Sequence, residues 1–168
     1  MIQTIVIADT SVLINFLVLD RVELLARLSS YRFVVTDHVR AEVTEHYQDQ
    51  IQRLERAFEA SFLEEISVTE LAEVQLFAQL TSSGLGVGEC SAIAVAAHRK
   101  LTLAIDDKTA IKRVERLDLS LPILSTERLV VLLIEHHVLT IAEADAMKSE
   151  WERNYRFRLK FQSFADRL

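Results

Sequence analysis

The stretch Ile-Val-Ile-Ala-Asp-Thr-Ser-Val-Leu-Ile-Asn at residues 5–15 decides the fold prediction. The apolar run from Ile2 to Ala8 is rich in β-branched residues, which predicts a buried strand that ends at Asp9. From Thr10 to Leu19, apolar residues recur at helical spacing, so a helix directly follows the strand. A strand that leads straight into a helix is typical of the repeating unit of a parallel sheet.

The rest of the chain alternates between strand and helix patterns in the same way. Further strands are predicted at Phe33–Val35, at Ile66 and Val68, at Leu101–Ile105 and at Pro122–Leu124. Helices are predicted from Asp20 to Leu28, from Thr36 to about Ala60, from Thr69 to Leu80, from Glu89 to His98, after Asp106-Asp107 to about Arg116, and from a capping box at Thr140–Glu143 onward. This order predicts an α/β fold with a central, mainly parallel sheet of about four or five strands covered by helices.

Composition restricts the class of protein further. Of the 168 residues, 50% are hydrophobic and 26% are charged, which excludes a disordered chain, and we expect one domain over residues 1–168. The single cysteine, Cys90, excludes a disulfide framework and a cysteine-rich zinc site. No uncharged stretch is long enough to span a bilayer, and no signal peptide precedes the first strand, so we expect a cytoplasmic protein.

Acidic residues stand where strands of the predicted sheet end. Asp9 follows the first strand, Asp106 and Asp107 follow the strand that ends at residue 105, and Glu89 opens the helix before that strand. Glu42 lies about one turn into the helix after the second strand. Because ligands bind beyond the carboxyl ends of parallel strands, these carboxylates could converge at one edge of the sheet.

Grouped carboxylates repel each other unless a cation neutralises them. A donor set of oxygens without His or Cys favours Mg²⁺ or Mn²⁺ over zinc. Such an ion can lower the pKa of a bound water, position a phosphodiester and stabilise the leaving oxygen. The residues therefore point to metal-dependent phosphodiester hydrolysis.

Each acidic residue also has a purely structural interpretation. Asp9 and the pair Asp106-Asp107 could serve only as helix caps. Glu42 shares a helical stripe with Glu45 and Asp49, which is typical of a solvated surface, and Glu89 suits a helix N-terminus because of the helix dipole. The catalytic hypothesis therefore requires that all these acidic residues lie close together in the folded protein.

Four segments in this order resemble the motifs of the PIN-domain nucleases. The first is the opening strand with Asp9, followed by small hydroxyl residues, and the second is Val39-Arg-Ala-Glu42-Val. The third is Gly88-Glu89-Cys-Ser-Ala-Ile-Ala-Val-Ala, and the fourth is Leu103-Ala-Ile-Asp106-Asp107. The resemblance implies a three-layer sandwich with its core at about residues 1–125 and a helical extension at about residues 126–168.

The resemblance also implies a Mg²⁺- or Mn²⁺-dependent endoribonuclease, most often the VapC-like toxin of a bacterial toxin–antitoxin pair. Its metal ligands would be Asp9, Glu42, Glu89 and either Asp106 or Asp107, with the spacing in the family favouring Asp107. The side chains that assist, through hydrogen bonds to a carboxylate or to water on the metal, would be Thr10 or Ser11 and Asn15. The implied partners are an RNA substrate, a small antitoxin protein that covers the acidic groove, and further copies of the chain in a homodimer or higher oligomer.

Two other interpretations belong to different functional classes. A non-catalytic PIN-like module would use its carboxylates only as caps and would act through a protein partner. A phosphatase with an aspartyl nucleophile at Asp9 is disfavoured because Ser11 stands where such enzymes carry a second acid.

The C-terminal segment has two interpretations as well. The net charge of the chain is −6, yet residues 148–168 carry six basic side chains against three acidic ones. Within residues 151–161 the basic side chains alternate with aromatic ones, which could grip RNA by phosphate contact and base stacking. The favoured interpretation is an amphipathic helix end whose aromatic rings pack on the body of the protein or on a second subunit.

Overall fold

A sheet of five strands, all parallel, runs through the centre of the computed structural model, which describes residues 2–168. In chain order the strands are β1 (Thr4–Ala8), β2 (Tyr31–Thr36), β3 (Glu64–Ile66), β4 (Thr102–Ala104) and β5 (Ile123–Leu124). Their order across the sheet is β3-β2-β1-β4-β5. The chain therefore moves outward from β1 to one edge and then returns to build the other half. The sequence prediction of a mainly parallel sheet of this size is confirmed.

Helices cover both faces of this sheet. They are α1 (Thr10–Val18), α2 (Glu23–Ala26), α3 (Asp37–His46), α4 (Ile51–Glu59), α5 (Leu71–Ser82), α6 (Val87–Arg99), α7 (Lys108–Arg116), α8 (Thr126–Glu135) and α9 (Ile141–Asn154), with short 3₁₀ turns at Gln48–Gln50 and Phe164–Arg167. Within residues 2–168, no helix has the length and apolar character that a membrane span requires.

Alternate residues of β1 enter two separate hydrophobic layers. Val6 and Ala8 pack with helices α1, α8 and α9, whereas Ile7 faces the Ala-rich helix α6 on the other side. Because successive side chains of a strand point to opposite faces, a strand buried on both faces must be apolar throughout. This requirement explains why β1 could be recognised from sequence.

The long helix predicted from Thr36 to about Ala60 is wrong, because the structure interrupts it. Helix α3 ends at His46, Tyr47 adopts φ −131° and ψ 58°, and a 3₁₀ turn leads into α4. The buried side chains of α3 stop at Val43, and the next buried one is Leu54. A continuous helix would have carried no apolar anchor for ten residues, so the chain turns instead and α4 packs separately.

Two further predictions of helix starts are also wrong. Asp20 adopts a left-handed conformation with φ 54° and does not cap the second helix, which begins at Glu23 without a side-chain cap. The N-cap of α5 is Glu70, one residue after the predicted Thr69. The Glu70 side chain forms a reciprocal capping box with Glu73, which satisfies the free backbone amides there.

The aromatic residues of the C-terminal segment belong largely to the core. Trp151 is fully buried, its Nε1 donates to the carbonyl of Asn15 at 2.7 Å, and its ring packs edge-on against Phe16 and Phe157. The basic side chains of Arg156 and Arg158 are exposed. The structure thus agrees with the packing interpretation for Trp151 and leaves the basic side chains at the surface.

Helices α5 and α6 are joined by a buried ion pair whose loss should destabilise the fold. Arg99 donates through Nε to Glu73 Oε2 at 2.7 Å, and the Glu73 side chain is inaccessible to solvent. The bond from Arg99 lowers the pKa of Glu73 to about 2. We expect Arg99→Ala to lower the free energy of unfolding by roughly 2 kcal/mol, because it leaves a buried carboxylate unpaired.

Urea denaturation at pH 7 would measure this effect, with Arg32→Ala as a matched control. Arg32 pairs with Glu64 at the surface, where both side chains are about half exposed, so its loss should cost less than about 1 kcal/mol. Since the pKa of Glu73 is lowered, its contribution should disappear as the pH falls from about 4.5 towards 2. Equal losses in the two variants would contradict a special role for the buried pair.

Candidate functional site

The carboxyl ends of β1 and β4 lie side by side and bring the first and last acidic motifs together. Ala8 pairs with Ala104, and the backbone amide of Asp9 donates to the Ala104 carbonyl at 2.9 Å. The residues that follow each strand, Asp9 on one side and Asp106 and Asp107 on the other, therefore leave the sheet at the same edge. This is the position at which ligands bind in parallel sheets.

The two carboxylate oxygens of Asp9 have different surroundings. Oδ2 accepts from the Ser11 backbone amide at 3.1 Å and from Ser11 Oγ at 2.7 Å, so it caps α1. Oδ1 is buried and has no hydrogen-bond partner within residues 2–168. Burial and, to a smaller extent, the nearby charge of Glu42 raise the pKa of Asp9 to about 6 against the opposing bonds from Ser11. The capping interpretation is therefore correct for one oxygen and leaves the other unexplained.

Glu42 reaches the same place from the third helix. Thr10 Oγ1 donates to its Oε2 at 3.0 Å. A Cβ atom at position 88 would overlap that same oxygen, so the absence of a side chain on Gly88 makes room for the carboxylate. The starts of α3 and α6 are held together by a 2.7 Å hydrogen bond between the hydroxyls of Thr36 and Ser91.

Glu89 lies in the first turn of α6, close enough to three other carboxylates for their charges to act on it. Its Oε2 is buried without a hydrogen-bond partner in the part of the chain that the structure describes. Burial raises the pKa of Glu89 to about 8, with further contributions from the charges of Asp9, Asp107 and Glu42 and from hydrogen bonding with Asp107. These four side chains, called the carboxylate cluster below, are Asp9, Glu42, Glu89 and Asp107.

The side chains of Asp106 and Asp107, the two alternatives for the fourth metal ligand, point in different directions in the structure. Asp107 Oδ1 accepts from the amides of Thr109 and Ala110 at 2.9 and 3.1 Å, which caps α7, while its side chain interacts with Glu89. Asp106 turns to the other side, where Oδ1 accepts from the Thr126 amide at 3.0 Å and Oδ2 accepts from the Thr126 hydroxyl and from Asn15. Burial raises the pKa of Asp106 as well.

The predicted supporting residues link these two groups of acids. Ser11 Oγ donates to Asp9 and accepts from the Asp106 amide at 3.0 Å, which couples the ends of β1 and β4. Asn15 Nδ2 lies 3.3 Å from Asp106 Oδ2 and 3.0 Å from Thr126 Oγ1. Each of these polar groups is held by partners from distant parts of the chain.

Two residues in this arrangement were missed by the sequence predictions. Thr126 is fully buried at the start of α8, directly after β5, so the rule of inspecting the residues that follow strands could have found it. Gly88 stands in the third motif of the resemblance, but no role was predicted for it. Its contact with Glu42 depends on the packing of α3 against α6, which no local pattern reveals.

The donors of the carboxylate cluster suit a hard divalent cation in their chemistry. They are oxygens only, they carry several negative charges, and the two unpartnered buried oxygens belong to different segments of the chain. Within residues 2–168, no three His, Cys, Asp or Glu side chains already have the geometry of a metal site. Metal binding would therefore require these carboxylates to turn inward from the positions that they occupy here.

The raised pKa values predict an unusual pH dependence of stability in the absence of metal. A carboxyl whose pKa is higher in the folded state binds more protons when folded, so stability falls as the pH rises from the ordinary pKa to the raised one. For Asp9 and Glu89 this range extends from about pH 4 to about 8. We expect a loss of roughly 2 kcal/mol across it, discounted because Glu89 is only half-buried.

Urea midpoints measured in EDTA between pH 5 and pH 8 would test this expectation. Glu89→Gln should flatten the decline, whereas Glu45→Gln, an exposed neighbour of the cluster on α3, should leave it unchanged. Identical pH profiles for the wild type and Glu89→Gln would contradict the coupling within the cluster.

Comparisons with known proteins agree with this architecture. A family model described as PIN domain matches residues 5–156. The protein PAE2754 from Pyrobaculum aerophilum has a similar fold, with 13% identity and a TM-score of 0.54 over 81% of this chain and 91% of that one. A PilT N-terminus domain protein from Sulfolobus solfataricus is 17% identical over 80% of this chain and 97% of that one, with a TM-score of 0.49. No curated protein matches the sequence.

Proposed function

Because the chain belongs to the PIN-domain family, we propose that it is a Mg²⁺- or Mn²⁺-dependent endoribonuclease that hydrolyses RNA phosphodiester bonds. The observation that supports this proposal is the pair of buried, unpartnered oxygens, Asp9 Oδ1 and Glu89 Oε2, inside a group of four interacting carboxylates. Burying carboxylates close together costs free energy, and a fold retains such an arrangement where a cation binds.

The side chains of the carboxylate cluster would hold the ion. A divalent cation there would activate water and stabilise the leaving oxygen of the phosphodiester. The chain's own contribution is to hold its ligands in place, since Ser11 fixes one oxygen of Asp9 and Thr10 fixes one oxygen of Glu42. The Asp106 side chain does not face the cluster and binds Thr126 and Asn15 instead, while its backbone amide donates to Ser11 Oγ.

Cleavage of a mixed RNA pool tests the proposal directly. Purified protein should cleave RNA with Mn²⁺ or Mg²⁺ and lose this activity in EDTA. Folded protein that cleaves nothing under any of these conditions, and whose melting temperature Mn²⁺ leaves unchanged, would overturn the proposal.

The two aspartates after β4 should differ in this assay. Asp107→Asn keeps a good helix cap but removes a charge from the cluster, so we expect cleavage to fall about a hundredfold or more. Asp106→Asn should reduce cleavage by less than about tenfold, because it perturbs only the side-chain contacts with Thr126 and Asn15 and keeps the backbone bond to Ser11. Circular dichroism would establish that both variants are folded, and the reverse order of losses would assign the ligand role to Asp106.

We also propose that the natural role is that of a toxin with a small antitoxin partner. The support for this role is the family membership together with an acidic cluster to which a basic side chain of a partner could bind. Expression alone should inhibit growth, and Asp9→Asn should relieve the inhibition. Unimpaired growth during expression of active, soluble enzyme would remove the toxin role without affecting the nuclease.

A second candidate function is a non-catalytic binding module, and one observation favours it. Asp9 and Asp107 both cap helices, so part of their chemistry is explained by the fold alone. Such a module should show no stabilisation by Mn²⁺, whereas a metal-binding nuclease should gain about 2.7 kcal/mol when the Mn²⁺ concentration is a hundred times its Kd.

A further inference from the structure

A groove of about 600 Å³ beside the end of α3 contains two exposed tyrosines. It is bordered by α1, by the turn that follows α3 and by the end of α9. Tyr47 contributes one ring and is 39% exposed, while Tyr155, more than 100 residues later in the chain, contributes the other and is 42% exposed. We call this feature the tyrosine groove.

The tyrosine groove adjoins the carboxylate cluster through the end of α3, because Glu45 and His46 line the groove and also line a second cavity with Glu42. Asn15 lines the groove and also donates towards Asp106 Oδ2 at 3.3 Å. It lies six residues after Asp9 on the same helix, which corresponds to roughly 9 Å along the helix axis. A strand whose phosphodiester sits at the carboxylates would therefore pass beside the groove.

The groove is lined mainly by groups that suit a nucleobase. Phenol rings provide flat surfaces on which any base can stack. The amides of Gln48 and Gln50 can donate to and accept from the edges of an unpaired base. Apolar side chains are confined to Ile14 and Val18, which is a small area for docking an amphipathic helix of a protein partner.

The charges around the groove favour an uncharged base inside it over a negatively charged phosphate. Glu45 and Asp49 line the walls, so a phosphate would be repelled from the interior, whereas an uncharged base would not. Exposed Arg156 and Arg158 lie one and three residues after Tyr155 and can contact phosphates outside the groove.

We propose that the tyrosine groove binds an unpaired nucleobase of the RNA, next to the bond that is cleaved, between Tyr47 and Tyr155. This inference rests on the proposed ribonuclease function and adds a specificity site to it. The enzyme would accordingly act on single-stranded RNA, because a base within a duplex cannot enter the groove.

Binding of short, fluorescently labelled single-stranded RNA in EDTA tests the proposal without cleavage. Because each variant loses one stacking surface, Tyr47→Ala and Tyr155→Ala should each weaken binding about tenfold by fluorescence anisotropy. Tyr47→Phe and Tyr155→Phe keep a ring and should bind RNA like the wild type. Leu71→Ala, at an exposed apolar position on α5, is the control and should have no effect.

The outcomes distinguish this inference from the function on which it rests. If the wild type cleaves RNA but folded Tyr47→Ala and Tyr155→Ala bind RNA with unchanged affinity, the proposal that the tyrosine groove binds a base is wrong and the nuclease function stands. The groove would then be a candidate binding site for a protein partner. A wild-type protein that neither binds nor cleaves RNA would overturn both. Weaker binding in the Ala variants, a shift in the base preferred at the cleavage site and rescue by Phe are the expected results.

Discussion

Replacing Asp9 with Asn should lower RNA cleavage about a thousandfold while making the metal-free protein more stable. The loss of activity follows because a ligand charge contributes several kcal/mol to transition-state stabilisation, and each 1.4 kcal/mol changes the rate about tenfold. The gain in stability has a separate cause. Asn can still accept from Ser11 with its carbonyl oxygen, while its amide replaces the buried, unpartnered Oδ1.

The stability of Asp9→Asn should be measured with and without Mn²⁺. At pH 8 in EDTA we expect its free energy of unfolding to exceed that of the wild type by roughly 2 kcal/mol, since the pKa of Asp9 is about 6 and its burial as an anion is removed. With Mn²⁺, the order should reverse, because the wild type gains much more binding free energy than the variant, which has lost one ligand charge.

Several results would contradict this account of Asp9. A variant that is inactive and also destabilised in EDTA would show that Asp9 serves the fold chiefly as the cap of α1. Ser11→Ala is the matched control, since it removes the hydroxyl that binds Asp9 Oδ2 and keeps the charge. It should destabilise the protein by about 1 kcal/mol and retain stabilisation by Mn²⁺.

The parts of the fold that depend on short, regular patterns could be predicted from the sequence. A strand buried on both faces requires a continuous apolar run, and the run Ile5–Ala8 made β1 visible in the sequence. The rule that ligands bind at the carboxyl ends of strands then identified Asp9, Glu89 and the Asp106-Asp107 pair as neighbours. Family resemblance provided the same order of motifs.

Features that depend on tertiary packing were beyond local patterns. The charged residues from 36 to 60 have helical propensity throughout, yet the break at Tyr47 arises because the helix loses its apolar contacts after Val43. The same break places Tyr47 in the tyrosine groove. Asp106 and Asp107 both follow the same strand, and only the packing of Thr126 and Glu89 determines which way each side chain turns.

The contact between Gly88 and Glu42 is the clearest case of a site feature set by packing. Gly88 is the second residue of α6, where alanine would normally be favoured over glycine by about 1 kcal/mol. A Cβ atom there would overlap Glu42 Oε2, which Thr10 holds at 3.0 Å. Glycine at this position therefore makes room for the carboxylate at the expense of helix propensity.

Gly88→Ala should consequently lower cleavage roughly thirtyfold and leave the free energy of unfolding within about 1 kcal/mol of the wild-type value. The Glu42 side chain can rotate away, and its lost hydrogen bond costs about what the helix gains. Gly86→Ala is the matched control, because its Cβ would lie 3.5 Å from Glu89 Oε1, an ordinary contact, and cleavage should persist.

The effect of Gly88→Ala should pass through Glu42, and a double-mutant cycle can show this. Glu42→Gln alone should lower cleavage about a hundredfold, and adding Gly88→Ala should lower it little further, because the displaced side chain no longer carries a charge to lose. Additive losses would mean that the added methyl group disturbs the site by another route, such as a shift of α6 that moves Glu89. Stabilisation by Mn²⁺ separates these routes, since a displaced Glu42 leaves three members of the carboxylate cluster in place and should weaken Mn²⁺ binding without abolishing it.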